Sequence, residues 1–148
     1  MRKFTVGFLF TPDLEKVLLI HKIAPEWQKG KLNGLGGKIE KGEGGMTCFL
    51  REIEEESGIV LDKKKVRLMG SLKGVDWQVY VFGVIFHGKI FEAVTYEKEK
   101  IEWFDVNNLP AKCLPNLQWM IPFIRNELKD MKGNSFLIDE KSFDTSLL

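Results

Sequence analysis

The stretch from Gly37 to Ile59, GKIEKGEGGMTCFLREIEEESGI, sets a glycine-rich loop directly against an acidic helix, a combination that few folds can accommodate. Its second half has helical composition, and its first half reads as the loop that feeds the helix. At about 100° per residue, Glu52, Glu55 and Glu56 share one face, because residues three and four apart stack along a helix. Met46, Phe49, Leu50 and Ile53 fall on an adjacent arc. The helix is therefore expected to lay an apolar stripe on a core while its acidic stripe faces a cleft. Gly58 is placed to end it in the left-handed conformation.

Three carboxylates on one face repel one another unless a cation sits among them. A hard divalent ion with oxygen ligands answers that need, and magnesium keeps positions open for water and for phosphates. A merely solvated acidic face has no use for Gly37, for an arginine set among acids, or for Gly58. Arg51, with Glu43, is expected to clamp the loop onto the helix. Two other glycine-loop chemistries fail on residues. A phosphate-binding P-loop needs a glycine where Leu32 stands and a Ser or Thr where Ile39 stands. A dinucleotide fingerprint starting at Gly34 and Gly36 needs a third glycine at Ile39.

With 148 residues the chain suits a single domain spanning 1–148, with a tail over about 139–148. A net charge of +1 offers no basic stripe for a nucleic-acid surface, so a small-molecule partner is expected. Oligomeric state is not legible. Two cysteines far apart, Cys48 and Cys113, read as small core fillers in a reducing cytoplasm. No apolar run reaches membrane-spanning length. Strands are expected over 3–11, 17–22, 66–73, 77–86 and 101–106, helices over about 45–57 and 116–131, the second open to a kink at Pro122, and a short strand over 136–138. Together these predict an α/β fold, a mixed sheet sandwiched between helices in α/β/α layers. His21 and His87 read as strand-end polar residues, and Trp103, Phe104, Trp119 and Met120 as packing residues.

The 37–59 segment resembles the Nudix box, the signature of the Nudix hydrolases, at every defined position: Gly37, Glu43, Arg51, Glu52, Ile53, Glu55, Glu56, Gly58 and Ile59. The resemblance implies the Nudix fold and a magnesium- or manganese-dependent pyrophosphohydrolase acting on nucleoside diphosphates linked to another moiety. It further implies that Glu52, Glu55, Glu56 and the Gly37 carbonyl hold the ions. Glu52 would orient or deprotonate the attacking water, with Arg51 and Glu43 as structural partners. Lys38 and Glu40 flank the loop and are candidates to touch phosphate or metal. Either Glu97 or Glu99 would add a further carboxylate, and the spacing selects neither.

Outside the box, the run from Trp27 through Asn33 to Lys38 is similar to the MutT-like sanitising branch, which hydrolyses oxidised purine triphosphates such as 8-oxo-dGTP to monophosphate and pyrophosphate. Carried over, Trp27 walls the purine and Asn33 reads its edge. Asn116, after Pro115, is a second purine contact. The chain departs from that branch at Leu114 and Leu117, where a stacking tryptophan and a second acid are expected, which favours single-asparagine readout. Two alternatives remain from the residues. One is hydrolysis of another derivative, such as an ADP-sugar, a dinucleoside polyphosphate or capped RNA. The other is a non-catalytic nucleotide sensor.

Overall fold

The computed structural model of the protein describes residues 1–140, so most of the expected tail lies outside the described residues. Nine elements of regular structure follow in order: β1 (Arg2–Phe10), β2 (Lys16–His21), β3 (Leu32–Asn33), α1 (Gly45–Ser57), β4 (Arg67–Lys73), β5 (Trp77–Ile85), β6 (Ile101–Asp105), α2 (Leu117–Asp130) and β7 (Phe136–Asp139). Short 3-10 turns at Glu26–Gln28 and Ile90–Glu92 interrupt two connections. The sheet is mixed, ordered β3-β2-β1-β5-β4-β7, with β6 on β2. Strands β1 and β5 run parallel over nine register pairs, from Arg2 opposite Trp77 to Phe10 opposite Ile85.

Both sheet faces are covered, which explains why β1 and β2 read as near-continuous apolar runs rather than alternating ones. In β2, Val17 and Leu19 pack into the cluster that includes Ile121 and Ile124 of α2. Leu18 and Ile20 turn the other way, into the cluster containing Phe49 and Ile53 of α1. Helix α2 buries Leu117, Met120, Ile121, Ile124 and Leu128, a three-and-four spacing that makes one apolar stripe. It spans Pro122 without interruption. Helix α1 closes onto β1 at Gly7, where a Cβ would collide with the Phe49 ring. That ring also stacks on Phe82, with centroids 5.0 Å apart.

One topological detail positions everything that follows. Strand β2 meets β1 in register only at the hairpin, Phe10 opposite Val17; farther along, its Ile20 and His21 pair with β3, while β6 covers its other edge. The glycine-rich loop takes the edge of β1 so vacated. Gly7 N–H donates to the Leu35 carbonyl (2.7 Å), Thr5 N–H to that of Gly37 (2.8 Å), and Ile39 N–H to that of Lys3 (2.9 Å). A loop that sequence patterning leaves unstructured is thus hydrogen-bonded along the edge of β1 as a strand would be.

Candidate active site

Helix α1 begins after Gly44 and ends at Gly58, whose φ of 75° is left-handed and whose N–H returns to the Glu54 carbonyl. Phe49 and Ile53 are fully buried, and Met46 and Leu50 pack at the margin of the same cluster. The expected division into an apolar and an acidic stripe is what the structure has.

Arg51 ties loop to helix. Its Nε donates to Glu43 Oε2 (2.8 Å) and its Nη2 to Glu43 Oε1 (2.9 Å), a two-pronged fork. Its Nη1 lies 3.0 Å from Glu52 Oε1 and 3.2 Å from Glu55 Oε2. The guanidinium hydrogen bond holds the Glu43 carboxyl down at about 2. Cys48, buried beside this clamp, contacts Thr5 Oγ1 and donates its S–H to the Lys38 carbonyl, and burial pushes its thiol up to about 11. Both Cys48 and Cys113 are free and buried.

Glu56 behaves differently from its neighbours. Only 4% exposed, it turns inward and accepts the Gly36 N–H on Oε1 at 2.9 Å. Burial, and then the adjacent Glu52, push its carboxyl up to about 8 against the pull of that N–H and of Lys22. Glu52 is raised too, first by burial and then by Glu55 and Glu97, while Arg51 works against the shift. Gly37 lies against the Glu52 carboxylate, where an added Cβ would stand 2.5 Å from Oε1 and force that side chain to shift. At Gly36, with φ of 152°, a Cβ would run into the Thr5 carbonyl.

These donors suit a hard divalent cation, which would offset the burial and repulsion that hold Glu52 and Glu56 up. Their arrangement is looser than the sequence expectation. Among the described residues no three His, Cys, Asp or Glu side chains gather closely enough to hold a metal ion. The reason is visible in the hydrogen bonds: Arg51 Nη1 draws Glu52 and Glu55 toward itself, while Glu56 is drawn to Gly36. The Gly37 carbonyl already accepts the Thr5 N–H and lies 3.8 Å from the Cys48 Sγ.

The structure separates the two glutamates that spacing left open. Glu99, half-buried, is spent on Lys22 Nζ (3.0 Å) and the Ile23 N–H (2.8 Å). Glu97 is exposed and acts electrostatically on both Glu52 and Glu56. Lys38 is exposed, and its backbone carbonyl serves Arg51 and Cys48.

The base-side candidates are less gathered. Asn33 Oδ1 accepts the Gly34 N–H (2.8 Å) and its Nδ2 donates to Gln28 Oε1 (3.1 Å). Trp27 is 68% exposed. Asn116 stands at the start of α2 but makes no side-chain cap; its Oδ1 accepts the Trp119 indole N–H (3.1 Å) instead. A groove of about 400 Å³ lies at the other end of α1, lined by Lys3, Ile39, Met46, Leu68, Tyr80 and Phe82, and neither Glu52 nor Glu56 lines it.

Three partnerships had no sequence signal. Gln28 to Asn33 is one and Glu99 to Lys22 is another. The third joins residues distant in sequence: His21 bonds Glu102 (2.9 Å) and Lys112 (3.3 Å). Only the fold brings such partners together.

Comparison with known proteins bears on the family and the fold. The NUDIX domain model matches residues 1–126, leaving the end of α2 and β7 beyond it. An oxidized purine nucleoside triphosphate hydrolase from Danio rerio is 33% identical over 88 residues, covering 55% of this chain and 53% of that protein. The chain thus matches about half the length of that relative. Among solved structures, a MutT NUDIX hydrolase from Burkholderia pseudomallei superposes with a TM-score of 0.69 at 23% identity, covering 83% of this chain and 97% of that one. MutT from Aliivibrio salmonicida and Vibrio cholerae gives 0.63 at 20% identity, with 86% and 94% covered.

Proposed function

This chain belongs to the NUDIX family, and on that premise we propose that it is a pyrophosphohydrolase of nucleoside triphosphates, with oxidised purine triphosphates of the 8-oxo-dGTP kind as substrates. The observation that carries the reading is the buried Glu56 beside Glu52, two carboxyls raised above their usual range behind a loop whose glycines close on β1 and on Glu52. The curated relative acts on oxidized purine nucleoside triphosphates, which supports the substrate class.

Glu52, Glu55, Glu56 and the Gly37 carbonyl are the groups that would hold Mg²⁺ or Mn²⁺. Such an ion supplies charge neutralisation for the triphosphate and acidifies water at neutral pH. The chain's own residues do the rest. Arg51 grips only Oε1 of Glu52, so Oε2 is the oxygen that takes the proton from the attacking water. A raised carboxyl is a stronger base than an ordinary one, and it is best matched to its task near neutral pH. Attack forms a new P–O bond at an internal phosphorus and breaks the anhydride, releasing nucleoside monophosphate and pyrophosphate. The exposed Lys38 offers an ammonium group to the phosphates. Trp27 and Asn33 receive the base, with Asn116 at the start of α2 as a further contact. The buried free thiols suit a reducing compartment, the cytoplasm.

The test is a hydrolysis panel with magnesium, scored for monophosphate and pyrophosphate, run on the parent and on Glu56→Gln. The proposal requires an oxidised purine triphosphate to lead the panel and Glu56→Gln to lose at least about a hundredfold in turnover while folding normally. Near-parental turnover by the variant would overturn it. The exposed Trp27 and the engaged Asn116 favour one second reading, in which the same attack serves another nucleoside diphosphate derivative such as an ADP-sugar. The same panel separates the two.

A further inference from the structure

We infer that strand β7 orients the Asn116 amide through two rings: Phe136 props the Trp119 indole, and the indole N–H holds Asn116 Oδ1, so that Nδ2 is the end left for a bound base. Phe136 and Trp119 are thus positioning residues. The inference rests on the reading of Asn116 as a base contact, and it deepens that reading by giving the contact a donor sense.

An asparagine at the start of a helix ordinarily spends its side-chain oxygen on a backbone N–H of the first turn. Asn116 makes no such cap, and its Oδ1 accepts the Trp119 indole N–H at 3.1 Å. An indole can only donate, so the carbonyl end of the amide is the end it holds. Asn116 is exposed, and its Nδ2 has no partner among the described residues. The bond to Trp119 therefore does not withdraw the residue from a ligand; it leaves the donor end free. Asn116 also follows closely on the base-side strand, since Leu114 N–H donates to the carbonyl of Leu32 (2.9 Å), the neighbour of Asn33.

Trp119 is 37% exposed, so the burial of α2 does not by itself fix the indole. The Phe136 ring meets it edge to face, with centroids 5.0 Å apart and planes at 81°. Phe136 is in turn fixed from three directions. Phe123 packs on it at 5.4 Å, also edge to face. Gly70 of β4 pairs with it, and a Cβ added there would overlap the Phe136 ring and carbonyl. Ahead of it, the buried Glu127 carboxylate grips the turn into β7, accepting the Asn134 backbone N–H and its Nδ2–H, both at 2.9 Å. A buried acid that the proposed chemistry does not use is thereby accounted for: it fixes where β7 delivers Phe136. Strand β7 lies beyond the residues that the family match covers, so the support draws on a part of the chain outside that match.

Binding of 8-oxo-dGMP to the full chain, measured by calorimetry, tests this without turnover. Trp119→Phe keeps a ring against Phe136 and removes the N–H. Its affinity is expected to fall about tenfold with a melting temperature close to the parent's, and that of Phe136→Leu to fall severalfold. In the substrate panel the same factors are expected in KM and not in kcat. Both losses are expected to vanish in an Asn116→Ala background, where nothing is left to orient. Asn116→Asp keeps the bond to the indole but replaces the donor by an acceptor, so it is expected to lose as much as Asn116→Ala. Unchanged affinity in Trp119→Phe, losses that persist undiminished in the Asn116→Ala background, or parental affinity in Asn116→Asp would each overturn the inference, as would a parent that does not bind 8-oxo-dGMP. Trp119→Phe alters a partly exposed ring, so it carries the test if Phe136→Leu fails to fold. Should the parent bind 8-oxo-dGMP yet hydrolyse nothing in the substrate panel, the proposed function fails while the affinities still decide the role of β7.

Discussion

Glu56 accepts the backbone N–H of Gly36 from inside the protein, at 2.9 Å and with only 4% of its surface exposed. One hydrogen bond does not offset burial next to Glu52, so the carboxyl rises to about 8. A carboxyl that binds its proton more tightly folded than unfolded contributes stability that is whole below the unfolded value of 4.5 and is lost as pH climbs through about 8. The metal-free protein is therefore expected to lose stability across that window, by at most about 1.4 kcal/mol per pH unit from this group. Denaturant unfolding in a chelator at several pH values measures it. Glu56→Gln should flatten the slope, and millimolar Mg²⁺ should restore stability at the alkaline end. A Glu56→Gln protein with the parent's slope would show that the group is not the source.

Gly37 and Gly36 stand side by side yet should fail in different ways. Gly37 has no positive φ, and the nearest atoms to an added Cβ are the Glu52 carboxylate oxygens. Gly37→Ala is expected to fold with nearly the parent's melting temperature and to lose turnover by roughly a hundredfold, since a displacement near 1 Å in a reacting group costs about that much. Gly36→Ala meets the Thr5 carbonyl at a φ of 152° and should fail to fold stably. Circular dichroism melts and hydrolysis rates on the pair check both. Equal behaviour in the two variants would remove the claim that Gly37 makes room for Glu52.

Arg51 combines a fork onto Glu43 with a grip on Glu52 and Glu55, and a lysine ammonium reproduces the charge without the fork. Arg51→Lys is expected to lower turnover about ten- to a hundredfold, the range seen when a group that orients a metal ligand is removed. Its Mg²⁺ requirement should rise in parallel. Kinetics as a function of Mg²⁺ would expose a purely structural role, in which melting temperature drops while the Mg²⁺ dependence stays put.

Legibility of the sequence followed the range of the interactions. Helix α1, its acidic stripe and its stop at Gly58 are local matters, settled by spacing within one segment, and they stand where the pattern puts them. The strands were readable because both faces of the sheet are buried and the apolar runs are long. Strand β3 was not, since two residues carry no period, and it exists because Leu32 and Asn33 find His21 and Ile20. The failure to gather three carboxylates was equally out of reach. Counting charges on a helix face says nothing of where Arg51 will pull them or of a Gly36 N–H that turns Glu56 aside. Choosing between Glu97 and Glu99 needed Lys22, a residue 77 positions from Glu99.

Asn33 owes its orientation to a donor that cannot rotate. The Gly34 backbone N–H must meet an acceptor, so Oδ1 faces it and Nδ2 faces the other way, where Gln28 Oε1 takes one of its two protons. The amide group of Gln28 is thereby oriented as well, with its NH₂ directed away from Asn33. On the proposed reading, the two amides would offer a base N–H donors, complementary to an edge rich in carbonyl oxygens. An oxidised guanine carries two carbonyl oxygens, at C6 and C8, along one edge, whereas a cytosine ring has a single carbonyl oxygen. Gln28→Ala frees Asn33 to turn and is expected to lower kcat/KM for an oxidised purine triphosphate by about tenfold, or about 1.4 kcal/mol, with the effect in KM rather than kcat. Asn33→Ala should lose more and leave pyrimidine triphosphates almost unaffected. Steady-state kinetics on the two substrates decide the matter: equal losses on both would mean that the pair holds the loop and reads no base.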